Sequence, residues 1–287
     1  MKDFLRPYIP SFLKKLYRKY KKRSPSEIQH QQAIDSLKEK HLRLNKNTPQ
    51  NQMVFRDGIA MYVHPDSRFG FEHFCFISPE MVEEMDQFIR QTVDKKNLLD
   101  IGALHGVFSL VFAVNNPEKK VVSIDASPLA FARLLYNIHK NKLANITALD
   151  CAISDSPGKL LMHYEWEHAV ATGTLEDDKS FEIDKQTGDN ICRLLNFEPD
   201  VIKIDVEGHE IKVLKGLSTI IQRLKPMVFL ELHPQAIKNE GDNISELFSI
   251  FKPGEYYMSL PGNVMVTSDN IDDLKQVTRV LLKPLAN

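Results

Sequence analysis

Two short segments of this 287-residue chain hold residues whose types and spacing suit one chemistry. The first is Leu98-Leu99-Asp100-Ile101-Gly102-Ala103-Leu104-His105-Gly106, an apolar run that ends in acid and glycine. The second is Val201-Ile202-Lys203-Ile204-Asp205-Val206-Glu207-Gly208-His209-Glu210, which ends in carboxylates. Each reads as a buried strand whose carboxyl end opens into a loop. In an open parallel sheet, ligands bind at such strand ends. A glycine-rich end beside a carboxylate-rich end points to a nucleotide-type cofactor next to a polar reaction site.

The glycines of Asp100-x-Gly102-x-Leu104-x-Gly106 let the backbone approach a ligand closely. A helix starting near Val107 would aim its first amides at the same ligand. The next strand, Val121–Ile124, ends at Asp125-Ala126, where a carboxylate can bond both hydroxyls of a ribose. A third strand ends at Asp150-Cys151-Ala152, placed to border an adenine ring. A dinucleotide needs further glycines for its pyrophosphate, and this chain has Leu104 and Val107 there. S-adenosyl-L-methionine carries ribose and adenine without phosphate and fits the looser loop. The candidate cofactor residues are Asp100, Gly102, Ala103, Gly106, Asp125, Ala126, Asp150, Cys151 and Asp205.

On the reaction side, residues two apart in a strand share a face, so Asp205, Glu207 and His209 project together. Glu231 and His233 follow the same rule at the end of Met227–Leu232. A hydroxyl acceptor ionises far above neutral pH, so its methylation needs a general base or a metal. Clustered carboxylates raise one another's pKa, which suits a base. The candidate catalytic set is therefore Asp205, Glu207, Glu231 and His233. The same oxygen-rich set could hold a divalent metal, Mg²⁺, Mn²⁺ or Ca²⁺, or bind sugar hydroxyls directly. Glu210 is expected to open a helix over Ile211–Leu217 and complement its dipole. His209 is expected to face solvent or bond a loop carbonyl, and His163 and His168 to be satisfied loop histidines. Trp166 either stacks on a sugar ring or anchors its loop.

These groups need a scaffold, and the apolar runs supply one. Runs at 98–101, 121–124, 146–149, 201–204 and 227–232 alternate with helical stretches at Phe108–Asn115 and Pro128–Asn141. That alternation predicts an α/β fold with a doubly wound, mostly parallel sheet. Residues 159–200, with a strand-like Lys159–Tyr164, read as a polar lid or substrate loop followed by a helix over Asp189–Asn196. Tyr256–Leu260 and Asn263–Thr267, joined by Pro261-Gly262, read as an antiparallel hairpin on the sheet edge. Upstream, Asp57-Gly58 between β-formers predicts a hairpin over residues 53–63. Ser78-Pro79 then caps a helix running to Val93. The expected organisation is an N-terminal extension over residues 1–50, a hairpin and helix over 51–96, and the main domain over 97–287.

The motifs also resemble a known family. Asp100-Ile101-Gly102-Ala103-x-x-Gly106, Ile202-Lys203-Ile204-Asp205-Val206-Glu207-Gly208-x-Glu210 and Leu230-Glu231-x-His233 look like the FkbM family of S-adenosylmethionine-dependent methyltransferases. The resemblance covers residues 97–265 and leaves out residues 1–50. It implies a class I methyltransferase (Rossmann-like) fold of seven strands, the last antiparallel. It further implies methyl transfer to oxygen, commonly a hydroxyl of a sugar, glycan or natural product. By the same resemblance, Asp205 would lie nearest the methionine end of the cofactor, with Glu207 and Glu231 toward the acceptor.

Bulk properties narrow the field. With 43% hydrophobic and 26% charged residues the chain is ordinary for a globular protein. A formal net charge of -1 gives no global affinity for nucleic acid, so no nucleic-acid partner is expected. Cys75, Cys151 and Cys192 form no CxxC, which supports neither a disulfide framework nor a zinc ribbon and fits a cytoplasmic setting. No run of apolar residues is long enough for a spanning helix. Residues 1–23 interleave Lys and Arg with aromatic and aliphatic residues at helical spacing. Such a helix suits peripheral contact with an anionic membrane, or packing on its own domain or a second subunit. Two other classes compete: an NAD-dependent oxidoreductase, against which the missing glycines argue, and a non-catalytic adaptor. The intact Asp100, Gly102, Gly106, Asp125, Asp205 and Glu207 disfavour the adaptor.

Overall fold

The apolar runs lie side by side in the computed structural model, which describes residues 51–54, 60–165, 168–172 and 180–285. The basic stretch 1–23, the rest of the extension to residue 50, the Asp57-Gly58 turn and Trp166 lie outside the described residues. At the start, β1 (Asn51–Val54) pairs antiparallel with β2 (Ala60–Val63). The central strands are β3 (Asn97–Ile101), β4 (Lys120–Ile124) and β5 (Ile146–Leu149). After them come β6 (Ala152–Ile153), β7 (Gly158–Glu165), β8 (His168–Ala171) and β9 (Ser180–Gln186). The chain returns to the centre through β10 (Val201–Ile204) and β11 (Met227–Leu232), and ends with β12 (Tyr256–Leu260), β13 (Val264–Met265) and β14 (Thr278–Pro284).

The main sheet has the order β13-β12-β14-β11-β10-β3-β4-β5. From β5 to β11 all neighbours are parallel, while β14 runs antiparallel to both β11 and β12. This is a doubly wound α/β sheet of class I methyltransferase topology. The hairpin β12–β13 is present, but it does not join the parallel strands directly. β14 inserts between it and β11. Its short run Val280-Leu281-Leu282 lies between Arg279 and Lys283, too brief to stand out as a strand by pattern.

Residues 159–200 are more regular than a loop. β6, β9, β7 and β8 form a second sheet in that order. Alternate residues Met162, Phe181 and Ile183 give it a small core of its own. The polar residues between them face outward, which is why the stretch reads as loop by composition.

Helices cover both faces of the main sheet, and strand alternation sorts the residues between them. Leu98, Val201, Phe229 and Leu281 pack toward α2 (Pro79–Thr92) and α3 (Val107–Ala113), which follow the short α1 (Arg68–Glu72), and toward α4 (Pro128–Lys140). Leu99, Ile101, Ile202, Ile204 and Leu230 pack the opposite way. Their partners are α5 (Gly188–Leu195), α6 (Glu210–Lys215) and α7 (Ser218–Leu224), with α8 (Pro234–Asn239) and α9 (Leu247–Ile250) beyond. The helix expected over Ile211–Leu217 is α6, which ends at Lys215, and α7 follows it after Gly216-Leu217. Gly216 lies so close to the Ser154 carbonyl that a Cβ would come within 2.0 Å of it.

The same alternation sets the site. Asp100 shares the face of Leu98, Lys203 and Asp205 that of Val201, Glu231 that of Phe229, and Arg279 that of Leu281. One face thus turns from apolar to ionic at the carboxyl ends of its strands. α2 closes over it, begun by Ser78, whose hydroxyl accepts from the Met81 amide at 3.5 Å, with Pro79 in the first turn. Phe88 of α2 meets Phe108 and Phe229 edge-on at 5.0 and 5.2 Å between ring centroids. No helix of the described residues is long and apolar enough to cross a membrane. We predict that Phe88→Ala destabilises the fold by about 3–5 kcal/mol. A shift of that size in urea unfolding checks it, and a change under about 1 kcal/mol contradicts this packing.

Candidate functional site

The two loops touch each other. Gly102 has φ 75°, and a Cβ placed there would lie 1.7 Å from the Asp205 carbonyl oxygen. The Asp205 amide in turn donates to the Ile101 carbonyl at 3.0 Å. Glycine is needed here for the close approach of the second loop as well as for its left-handed backbone. Gly106, at φ 85°, caps α3. Leu104 also takes a left-handed φ of 48°, and its amide donates to Asp125 at 2.6 Å. The Ser127 amide donates to the other Asp125 oxygen at 2.8 Å. These bonds orient the carboxylate, yet burial outweighs them and pushes its pKa up to about 7.

Asp125 and Asp205 both line one cleft. Counting its open mouth and the solvent there, the empty space is about 690 Å³. Gly102, Ala126 and Cys151 line it too, and Leu160 and Met162 of the second sheet form the facing wall. The other four cofactor candidates are not in this wall. Asp100 is buried behind it, where the Ser109 hydroxyl donates to it at 2.5 Å and burial pushes it up to about 6. Ala103 is buried and Gly106 shapes the loop, while Asp150 stands outside the lining. Leu104, Leu160 and Met162 were not singled out by the sequence. Apolar wall residues carry no mark that separates them from core.

Behind Asp205 lies a buried ionic cluster that motif reading missed. The Lys203 ammonium is buried, 3.6 Å from Asp205 and 3.9 Å from both Glu84 and Glu231. Its pKa is raised, because the surrounding carboxylates outweigh burial. Arg279 bonds Glu84 and reaches Glu231 at 2.9 Å. Burial and the Asp205 charge push Glu231 up to about 8. For Asp205 burial acts upward, but Lys203, His233 and a hydrogen bond from Glu231 win and hold it below the ordinary carboxylate range. At neutral pH, then, Glu231 keeps a proton and donates it toward an ionised Asp205. Glu231 thus faces the interior cluster and does not line the cleft. The signals were present: a lysine inside an apolar strand, and Glu84 on the buried stripe of Met85 and Phe88.

His233 is held from both sides. Its Nε2 lies 3.1 Å from Glu207, and its Nδ1 lies 2.7 Å from Glu210. Burial opposes protonation, but the bonds to Glu207 and Glu210 prevail and push its pKa up to about 10. His233 is therefore an imidazolium at neutral pH, a counterion and not a base. Asp205, Glu207 and His233 bring donor atoms within 4.8 Å of one another. Both ring nitrogens of His233, however, already face carboxylates, Glu207 and Glu210, which leaves the ring none for a divalent metal. Glu207 lines the cleft beside Asp205, with a left-handed φ of 55° that a non-glycine residue adopts only under restraint. His209 does not face solvent. It is buried, 3.0 Å from the Ser154 hydroxyl and 3.3 Å from Glu240. His163 sits on β7, 3.3 Å from the Ser180 hydroxyl, while the His168 side chain lies outside the described residues.

Removing the central cation should be costly, because it leaves buried carboxylates facing one another. We predict that Lys203→Met destabilises the protein by about 3–5 kcal/mol at pH 8. The loss should shrink toward pH 5, where the unpaired carboxylates take up protons. Urea unfolding at the two pH values checks this, and an equal loss at both contradicts it.

Comparison with known proteins gives this arrangement a family. The methyltransferase FkbM domain matches residues 100–257, more than half of the chain. The hexuronic acid methyltransferase AglP of Haloferax volcanii is 28% identical over 139 residues, covering 47% of this chain and 55% of that protein. Methyltransferase sdnD of Sordaria araneosa is 28% identical over 155 residues, covering 42% of this chain and 60% of its own length. The chain thus spans little more than half the length of these curated relatives. Among solved structures, a methyltransferase FkbM from Methylobacillus flagellatus KT aligns with a TM-score of 0.41 at 19% identity, covering 66% of this chain and 44% of that one. An O-methyltransferase from Bacillus cereus in complex with SAH aligns with a TM-score of 0.40 at 13% identity, covering 73% and 82%. By the extent of the domain match, the chain belongs to the FkbM methyltransferase domain family.

Proposed function

We propose that the chain transfers a methyl group from S-adenosyl-L-methionine to a hydroxyl of a sugar, glycan or glycolipid. The observation that carries this is one cleft lined by apolar residues together with two carboxyl groups, Asp125 and Asp205. Such a lining suits a nucleoside that also carries an amine. Asp125 accepts hydrogen bonds from ribose hydroxyls, and the amides of Leu104 and Ser127 keep it aimed. Cys151, Leu160 and Met162 offer apolar surface to the adenine. Asp205, kept ionised by Lys203, holds the amino group at the far end. When bound, the cofactor supplies an electrophilic methyl on its sulfonium.

Glu207 lines the same cleft and accepts the proton of the acceptor hydroxyl as the new C–O bond forms. His233 stands behind it, 3.1 Å away. Carboxylates that accept hydroxyl hydrogen bonds favour a polyhydroxylated acceptor, and the relative AglP is named for hexuronic acid. Peripheral contact of residues 1–23 with an anionic membrane would bring the site to lipid-borne glycans.

Calorimetric titration with S-adenosylhomocysteine and with NAD tests the reading. Micromolar binding of the homocysteine compound alone is expected. Asp125→Ala should weaken it by about tenfold or more, the loss of a charged hydrogen bond. Binding of NAD alone would favour the oxidoreductase instead, and silence for both the adaptor. A pH series gives a second check. Asp125 loses its proton only near pH 7, so affinity should rise from pH 6 to pH 8. A flat series contradicts the role given to this carboxylate.

A further inference from the structure

Glu210 has a place that a helix-opening acid does not need. It is the first residue of α6 and is wholly buried. One of its oxygens accepts from the Gly208 amide at 2.9 Å and from His233 at 2.7 Å. The other is buried with no hydrogen-bond partner. An acid at a helix N-terminus gains about 0.3–1 kcal/mol while exposed to water. Burying a carboxylate with one oxygen unpaired costs several kcal/mol, far more than that gain. The charge of His233 is what offsets it. The three groups form a line, Glu210 to His233 to Glu207, running from the interior to the wall of the cleft.

We propose that Glu210 is a positioning residue that acts through His233 to hold Glu207 aimed into the cleft. The inference rests on the methyl-transfer reading above, in which Glu207 receives the acceptor's proton. Three features fix the line. Gly208 packs so tightly on α8 that a Cβ would lie 2.5 Å from that of Ala236, which locks the loop to the helix His233 caps. Glu207 is held in its left-handed backbone, so its side chain has one way to leave the loop. His233 donates from both nitrogens, which fixes its ring in one orientation. The groups facing that ring are Glu207 and Asp205 from the loop after β10 and Glu210 from α6. Beyond Asp205 stand Lys203 and the Glu231–Arg279 pair. With Glu210 neutralised, the imidazolium loses its inner partner and reverts toward an ordinary histidine. Glu207 then loses its counterion and turns freely.

Nuclear magnetic resonance tests this without knowledge of the acceptor. Histidine ring ¹⁵N and glutamate carboxyl ¹³C signals would be followed with pH in the full chain and in Glu210→Gln and Glu210→Asp. His233→Asn and Glu207→Gln assign the two signals. The unaltered chain should show both ring nitrogens of His233 protonated at pH 8. Glu210→Gln should show one deprotonated, with the Glu207 carboxyl signal displaced, and Glu210→Asp should restore both signals in large part. Should Glu210→Gln fail to fold, Glu207→Gln probes the line from its outer end and should likewise ease deprotonation of His233. An unchanged His233, or an unmoved Glu207, in a folded variant overturns the proposal. Binding of S-adenosylhomocysteine, measured alongside, should stay within twofold of the unaltered chain in Glu210→Gln. Absence of binding in the unaltered chain sinks the functional reading, whereas normal binding with unmoved signals sinks the role of Glu210 alone.

Discussion

A buried ammonium group at the centre of the sheet constrains everything around it. Lys203 lies on the fourth strand of the parallel set by chain order, with apolar residues before and after it, and it cannot reach water. An isolated charge there would cost many kcal/mol, so the fold must bring anions to it. Carboxyl groups reach it from three directions: Asp205 two residues on, Glu231 from the neighbouring strand and Glu84 from the covering helix. Arg279 completes the set from the antiparallel strand. Because every member stands on one face of the sheet, the packing that forms the core also assembles the charges.

The cluster explains how Asp205 can sit buried and still be ionised. Its shared proton stays on Glu231, and its charge is answered by Lys203 on one side and His233 on the other. The line Glu210–His233–Glu207 repeats the device nearer the cleft. Both arrangements place an anion at the cleft with its counterion behind it. A site built so presents hydrogen-bond acceptors to a ligand and keeps its cations out of reach.

Much of the scaffold was legible in the sequence, because parallel strands buried on both faces are continuous apolar runs. The central five strands, the helices opened by Ser78-Pro79 and by Ser127-Pro128, and the contact of the two motif loops' strands all follow from that pattern. Of the second sheet only Lys159–Tyr164, within β7, was legible, since a half-exposed strand such as Ser180–Gln186 resembles polar loop. Nor was β14, whose partners are set by tertiary pairing. At the site, Asp125 and Asp205 were found by their place at strand ends. Glu231 and His233 were chosen by the same rule, but their roles depend on neighbours more than 20 residues away in sequence, such as Arg279 and Glu210. Which way a carboxyl turns, and which group keeps the proton, is decided by those neighbours.

The account stands on one claim, that the cleft between Asp125 and Asp205 holds the nucleoside lengthwise over the buried cluster. A crystal structure of the protein with S-adenosylhomocysteine tests it directly. The account predicts ribose hydroxyls on Asp125, the amino group at Asp205, and His233 still bridging Glu207 and Glu210. A ligand lying outside this cleft, or bound in it with Asp125 turned away from the ribose, would contradict it.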